Sequence, residues 1–119
     1  MLTRLGIALI ASERLEEAIA AFRRAAAAAP ADADAQRNLA SALHDHQDFQ
    51  EAVVYAQRAL TLRPADAEAH RLLGRLLAML GRFDEARTHF TRALEIDPAN
   101  ADVKADLGKL PDSNQPGRD

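Results

Sequence analysis

The sequence contains no cysteine and no tryptophan. Without cysteine there is no disulfide framework, no thiol nucleophile and no Cys-based zinc site. One tyrosine and four phenylalanines hold the aromatic content to 4%, so no repeated aromatic platform exists for stacking bases. Basic residues are not in excess, with 15 against 18 acids and a formal net charge of −3, which excludes most sequence-blind nucleic-acid binders. No apolar run approaches the roughly 18 residues of a membrane span. The opening MLTRLGIALIAS has only a minimal apolar stretch before Glu13, which disfavours a secretory signal and leaves the cytoplasm as the expected location. The five glycines, Gly6, Gly74, Gly81, Gly108 and Gly117, never cluster into a phosphate-binding loop.

What is present is alanine, 27 of 119 residues, and a period. Pro30, Pro64 and Pro98 stand 34 residues apart, and each opens a similar tripeptide: Pro30-Ala31-Asp32, Pro64-Ala65-Asp66 and Pro98-Ala99-Asn100. Proline stops one helix, and Asp or Asn caps the next. Asp34, Glu68 and Asp102 follow in the first turn, where the helix dipole favours a carboxylate. The same step aligns Leu5, Leu39, Leu73 and Leu107; Leu9, Leu43 and Leu77; Glu17, Glu51 and Glu85; Ala18, Ala52 and Ala86; and Ala25, Ala59 and Ala93. A Leu-Gly pair recurs as Leu5-Gly6, Leu73-Gly74 and Leu107-Gly108, with Leu39-Ala40 as its variant.

Between the prolines the apolar spacing is helical throughout. Phe49, Ala52, Val53, Ala56, Ala59 and Leu60 form one stripe, and Phe83, Ala86, Phe90, Ala93 and Leu94 its counterpart. The segments before them carry Ala35, Leu39, Ala42 and Leu43, then Ala69, Leu73, Leu76, Leu77 and Leu80. Gly81 is a C-cap signal between the last two of these helices, while Gln47 and Glu13 hold the equivalent turns without glycine.

These residues resemble the tetratricopeptide repeat family, whose 34-residue unit is a helix A followed by a helix B. The resemblance covers about residues 1–110 and implies an all-α, right-handed solenoid of three antiparallel helix pairs at 1–30, 31–64 and 65–98. A stacking, capping helix follows at 99–110, with a polar outer face of Asp102, Lys104, Asp106 and Lys109, and residues 111–119 are expected to be a disordered tail. One column departs from the family pattern: Leu2, Gln36, His70 and Lys104 occupy a place where the family usually has a large aromatic. Physical chemistry supports the same architecture, because a two-helix unit cannot bury its apolar face alone and must stack on its neighbours.

Catalytic and metal chemistry find little support. His44 and His46 lie two apart, about 200° around a helix, and cannot face one ion. His70 and His89 fall on different helices without a partner at ligand spacing. Ser41 and His44 form an i,i+3 pair on a helix surface, which supplies neither a converging third group nor an oxyanion hole. No enzyme activity, no metal and no cofactor are therefore expected, and no nucleic-acid partner.

The resemblance implies a protein-interaction scaffold whose helix A faces line a concave groove for a peptide. Arg37, Asn38, Ser41 and His44 of one helix A, and Arg71, Leu72, Arg75 and Met79 of the next, are the residues expected to line it. Arg37, Arg71 and Arg75 read as a positive rung suited to an acidic and apolar partner segment, the alternative being that these arginines pair with Asp34, Glu68 and their neighbours. The two-carboxylate clamp with which relatives hold heat-shock-protein C-termini needs Lys and Asn, then Asn, then Lys and Arg. Here Thr3, Ile7, Asn38, Glu68 and Leu72 fill those places and only Asn38 matches.

The apolar N-terminal segment, with Leu2, Leu5, Ile7, Leu9 and Ile10, lacks a polar end and reads as an edge for self-association or for upstream repeats. Two alternatives to a free-standing adaptor follow. One is an accessory module of a larger protein, because bacterial proteins resembling this one often carry such repeats beside transferase domains; the other is a self-assembling structural repeat.

Overall fold

The computed structural model describes residues 4–111, with side chains described from Ser12 onward. Six helices follow in order: α1 (Arg4–Ala28), α2 (Ala33–Asp45), α3 (Phe49–Leu62), α4 (Ala67–Met79), α5 (Phe83–Ile96) and α6 (Ala101–Lys109). Among the described residues there is no strand, and no helix is long and apolar enough to cross a membrane.

The caps recur with the sequence period. Asp32 Oδ1 accepts from the backbone N–H groups of Asp34 and Ala35 at 3.0 and 3.3 Å, Asp66 Oδ1 from that of Ala69 at 3.2 Å, and Asn100 Oδ1 from those of Asp102 and Val103 at 3.0 and 3.2 Å. Each cap satisfies orphan donors at the start of α2, α4 or α6. Within a repeat, α2 and α4 end in the same left-handed turn. Gln47 takes φ 67° and Gly81 φ 79°, and the Asp48 and Arg82 N–H groups reach back to the Leu43 and Leu77 carbonyls at 2.8 Å. This is the six-to-one closure of a Schellman motif.

Packing follows chain order, α1 on α2, α2 on α3 and so on to α5 on α6, and α2 also touches α4. The result is the expected all-α solenoid. Leu39, Leu43, Leu73, Leu76, Leu77, Phe90 and Val103 fill its core, while Ala40, Ala52, Ala56, Ala59, Ala69, Ala86 and Ala93 are fully buried where helices approach closely. Gly74 belongs with them: a Cβ there would stand 2.7 Å from Phe90 Cε1.

The first repeat corrects one expectation. Residues 1–30 read as a helix pair turning near Glu13, but α1 runs unbroken for 25 residues from Arg4 to Ala28, so two complete pairs, α2–α3 and α4–α5, stand between single helices. The reason is local. Ser12, Glu13 and Arg14 are exposed, and Glu13 and Arg14 are good helix formers, whereas the equivalent turn of the next repeat has the poor helix formers His46 and Asp48 on either side of Gln47. Leu2 and the side chains of Leu5, Ile7, Leu9 and Ile10, read as a self-association edge, lie outside the described residues, as does the expected tail beyond Pro111.

The column that departs from the family pattern acquires a role. His70 Nε2–H donates to the Pro64 carbonyl at 3.0 Å, and Gln36 Nε2 donates to the Pro30 carbonyl at 3.4 Å. Each ties the start of a helix A to the proline turn six residues before it.

Candidate functional site

Helices α2 and α4 lie side by side, and the residues outside their buried stripes share one face. Arg37, Asn38 and Ser41 from α2 meet Glu68, Arg71, Leu72 and Arg75 from α4 around a cavity of about 180 Å³. A second cavity, of about 270 Å³, adjoins it through Arg75 and is lined by His44, Ala78, Met79, Phe83, Phe90, Asp106, Lys109 and Leu110. The eight residues expected on this face all border one cavity or the other.

The charges are distributed differently from the expected rung. Arg37 donates from Nη1 to Asp66 at 2.8 Å and lies 3.3 Å from Asp34 through Nη2. Arg63 completes the cluster, 2.9 Å from Asp34 and 3.6 Å from Asp66. The Asp66 side chain is only 6% exposed, and its two oxygens divide the work: Oδ1 caps α4 and Oδ2 takes Arg37. Arg63, and after it Arg37, holds the Asp34 carboxyl below the usual carboxylate range. Arg71 donates from Nε to Asp106 at 3.0 Å. Two of the three arginines are therefore neutralised by the fold, chiefly through Asp66 and Asp106 rather than Glu68. Arg75 alone of the three has no ion partner among the described residues. Asp106, expected on the polar outer face of the last helix, instead points back to α4 with its side chain 15% exposed.

Six residues of the second cavity, Ala78, Phe83, Phe90, Asp106, Lys109 and Leu110, were not among those expected to line the groove. A signal for one of them was present: Ser41, Arg75 and Lys109 are 34 residues apart, so α6 continues the helix A series. Reading α6 only as a cap concealed that Asp106, Lys109 and Leu110 border the same cavity as Arg75 and Met79.

The histidines do not assemble a metal site; among the described residues no group of three or more His, Cys, Asp or Glu converges. His44 stands edge-on to Phe49, with ring centroids 5.7 Å apart. His46 Nδ1 is 2.7 Å from Asp48 Oδ2, and that hydrogen bond raises its pKa above the ordinary value, aided by Glu16. His70 and His89 are brought together across α4 and α5, with their Nδ1 atoms 3.1 Å apart. Burial lowers the pKa of His89, and His70 adds to the effect.

The tetratricopeptide repeat model matches residues 3–67 and 45–101. The chain belongs to the tetratricopeptide repeat family. Solved tetratricopeptide domains superpose on most of it. The first such domain of Spaghetti (RPAP3), bound to the HSP90 peptide SRMEEVD, is 25% identical with a TM-score of 0.79, over 84% of this chain and 79% of that one. The Arabidopsis OM64 domain is 25% identical with a TM-score of 0.79, over 88% and 87%. The second domain of human RPAP3, in complex with the HSP70 peptide SGPTIEEVD, is 28% identical with a TM-score of 0.78, over 87% of each chain. No curated protein matches the chain.

Proposed function

We propose that this tetratricopeptide repeat domain is a non-catalytic scaffold that holds an extended segment of a partner protein along α2 and α4. The observation that carries the reading is the shared face of those helices, where exposed hydrogen-bonding groups of Asn38, Ser41 and Arg75 flank the half-buried Leu72 in one groove. An extended peptide needs such a mixture: amide and hydroxyl groups for its backbone, a cation for a carboxylate and an apolar surface for a side chain. That the RPAP3 domains are solved with HSP90 and HSP70 peptides supports a peptide as the class of ligand. The residues here do not suit those two peptides' acidic ends, because Thr3, Ile7, Glu68 and Leu72 stand where the clamp's lysines, arginine and first asparagine belong. The expected partner is an internal acidic and apolar segment.

Selection from a displayed random-peptide library, followed by fluorescence polarisation of the enriched peptides, tests this. Asn38→Ala with Leu72→Ala is expected to weaken the enriched peptides about tenfold or more. Peptides that bind the double variant as well as the parent chain would place the binding surface elsewhere.

A further inference from the structure

The groove reading leaves open what anchors the segment, and the ion pairs narrow the choice. Arg37 and Arg71 are already held by Asp66 and Asp106, so recruiting them to a ligand means breaking contacts within the fold. Arg75 and Lys109 are exposed, border the same cavity and have no ion partner among the described residues. Among the described residues the one carboxylate that borders this cavity, Asp106, is engaged by Arg71. Between the two free cations the cavity wall is apolar: Ala78, Met79, Phe83 and Leu110, with Met79 60% exposed. Its volume of about 270 Å³ is several times the roughly 30 Å³ share of one water molecule, room for a large side chain. An exposed methionine is suited to this use, because its unbranched thioether adapts to whatever shape enters.

Resting on the peptide-scaffold reading, we propose that the junction of α4, α5 and α6 is the anchoring subsite, which takes one large apolar side chain of the partner with a carboxylate on each side of it. The apolar group enters between Met79, Phe83 and Leu110. One flanking carboxylate meets the Arg75 guanidinium and the other the Lys109 ammonium. Met79 supplies contact area, and the cations supply register and salt sensitivity. The motif differs from a C-terminal carboxylate clamp because it requires no chain terminus and uses α6, the helix expected only to close the stack.

The test uses the full chain and the same displayed library, with a labelled, N-acetylated and C-amidated probe peptide whose centre reads Glu-Leu-Glu. Arg75→Gln and Lys109→Gln are each expected to weaken the probe about fivefold. Met79→Glu, which places an acid in the cavity wall, is expected to remove binding. All three positions are exposed, so unchanged helicity and melting temperature should accompany the losses. Replacing the probe's two acids by glutamine, or its leucine by alanine, should weaken it comparably, and library peptides should share the acidic–apolar–acidic centre. If enriched peptides ignore all three substitutions but lose affinity with Asn38→Ala and Leu72→Ala, the anchor is overturned and the groove reading stands. If binding ignores all five substitutions, or neither the probe nor the library gives binding below about 1 mM, both readings fall.

Discussion

The two complete helix pairs, α2–α3 and α4–α5, have identical lengths of 13 and 14 residues, equivalent aspartate caps and equivalent left-handed turns, yet they are filled differently. Where the first pair has Ala40 and Ala56, the second has Gly74 and Phe90, all four buried. Where the first has Gln36 and Tyr55, the second has the hydrogen-bonded His70 and His89. Gln36 keeps a buried Oε1 without a partner among the described residues, and Tyr55, half-buried against the core, has the Arg58 guanidinium over its ring, 5.0 Å from the centroid. The differences come as pairs across the A/B contact. A repeat backbone is thus specified by its caps, turns and crossing alanines, while the space between its helices can be filled by either of two compensated sets.

The largest test separates those sets. Phe90→Ala should cost about 3–5 kcal/mol, as a buried ring is removed without local collapse. Gly74→Ala should cost about 1–3 kcal/mol, because its Cβ would meet the ring at 2.7 Å. Combining them reproduces the alanine pair of the first repeat. Urea unfolding of the double variant should show a cost well below the sum, close to that of Phe90→Ala alone. Simple additivity would mean that the ring and the glycine are not a compensated pair.

The crossing alanines should behave alike in both repeats. Ala52→Leu and Ala86→Leu replace equivalent, fully buried side chains, and each is expected to cost about 1–3 kcal/mol. A midpoint unchanged in either variant would show that this alanine does not sit at a crossing. A difference above about 1 kcal/mol between them would show that the two fillings alter the A/B approach itself.

Much of this architecture was legible as a 34-residue step. The step exposed the caps Asp32, Asp66 and Asn100 and the columns of small residues, while the family resemblance pointed to the shared face from Arg37 to Met79. What it hid depends on distance in space. Asp66 lies 29 residues from Arg37 and Asp106 lies 35 from Arg71, neither of them one whole repeat, so column alignment never sets the partners side by side. His70 and His89 are joined only by the closing of a hairpin. The Leu-Gly column marked Gly74 as a recurring small residue, but not that Phe90 on the facing helix packs against it. The continuity of α1 was missed for another reason: alignment with the later repeats suggested a turn that the local residues at Ser12, Glu13 and Arg14 do not encode.

The turns offer a smaller contrast. Gln47 and Gly81 hold nearly the same positive φ, and no atom lies within 4 Å of a Cβ added at Gly81. The difference between them is therefore conformational rather than steric. Gln47→Gly should stabilise the chain by up to about 1 kcal/mol, while Gly81→Gln should destabilise it by a similar amount. The double exchange should come out near zero in the same unfolding assay. A destabilising Gln47→Gly would show that the glutamine side chain supports its turn in some further way.

The smallest expected effects are the pH responses, and they oppose one another. His46, beside the α2–α3 turn, is raised by its bond to Asp48, so its contribution is fully present below its ordinary value of 6.5 and is lost as pH rises through its higher folded value. His89, in α5, is lowered by burial and by His70, so the folded state prefers it neutral. The stability it preserves is full above 6.5 and declines as pH falls from there through its lower folded value. With both rings neutral, the Pro64 carbonyl fixes the proton of His70 on Nε2, its Nδ1 accepts from His89 Nδ1–H, and His89 must take up its second proton at Nε2. Following each imidazole by NMR should therefore show His89 titrating below 6.5 and His46 above it. His46→Gln should flatten the decline of stability above 6.5, and His89→Gln its decline below. Coincident titration of the two rings would remove the contrast between the turn histidine and the buried one.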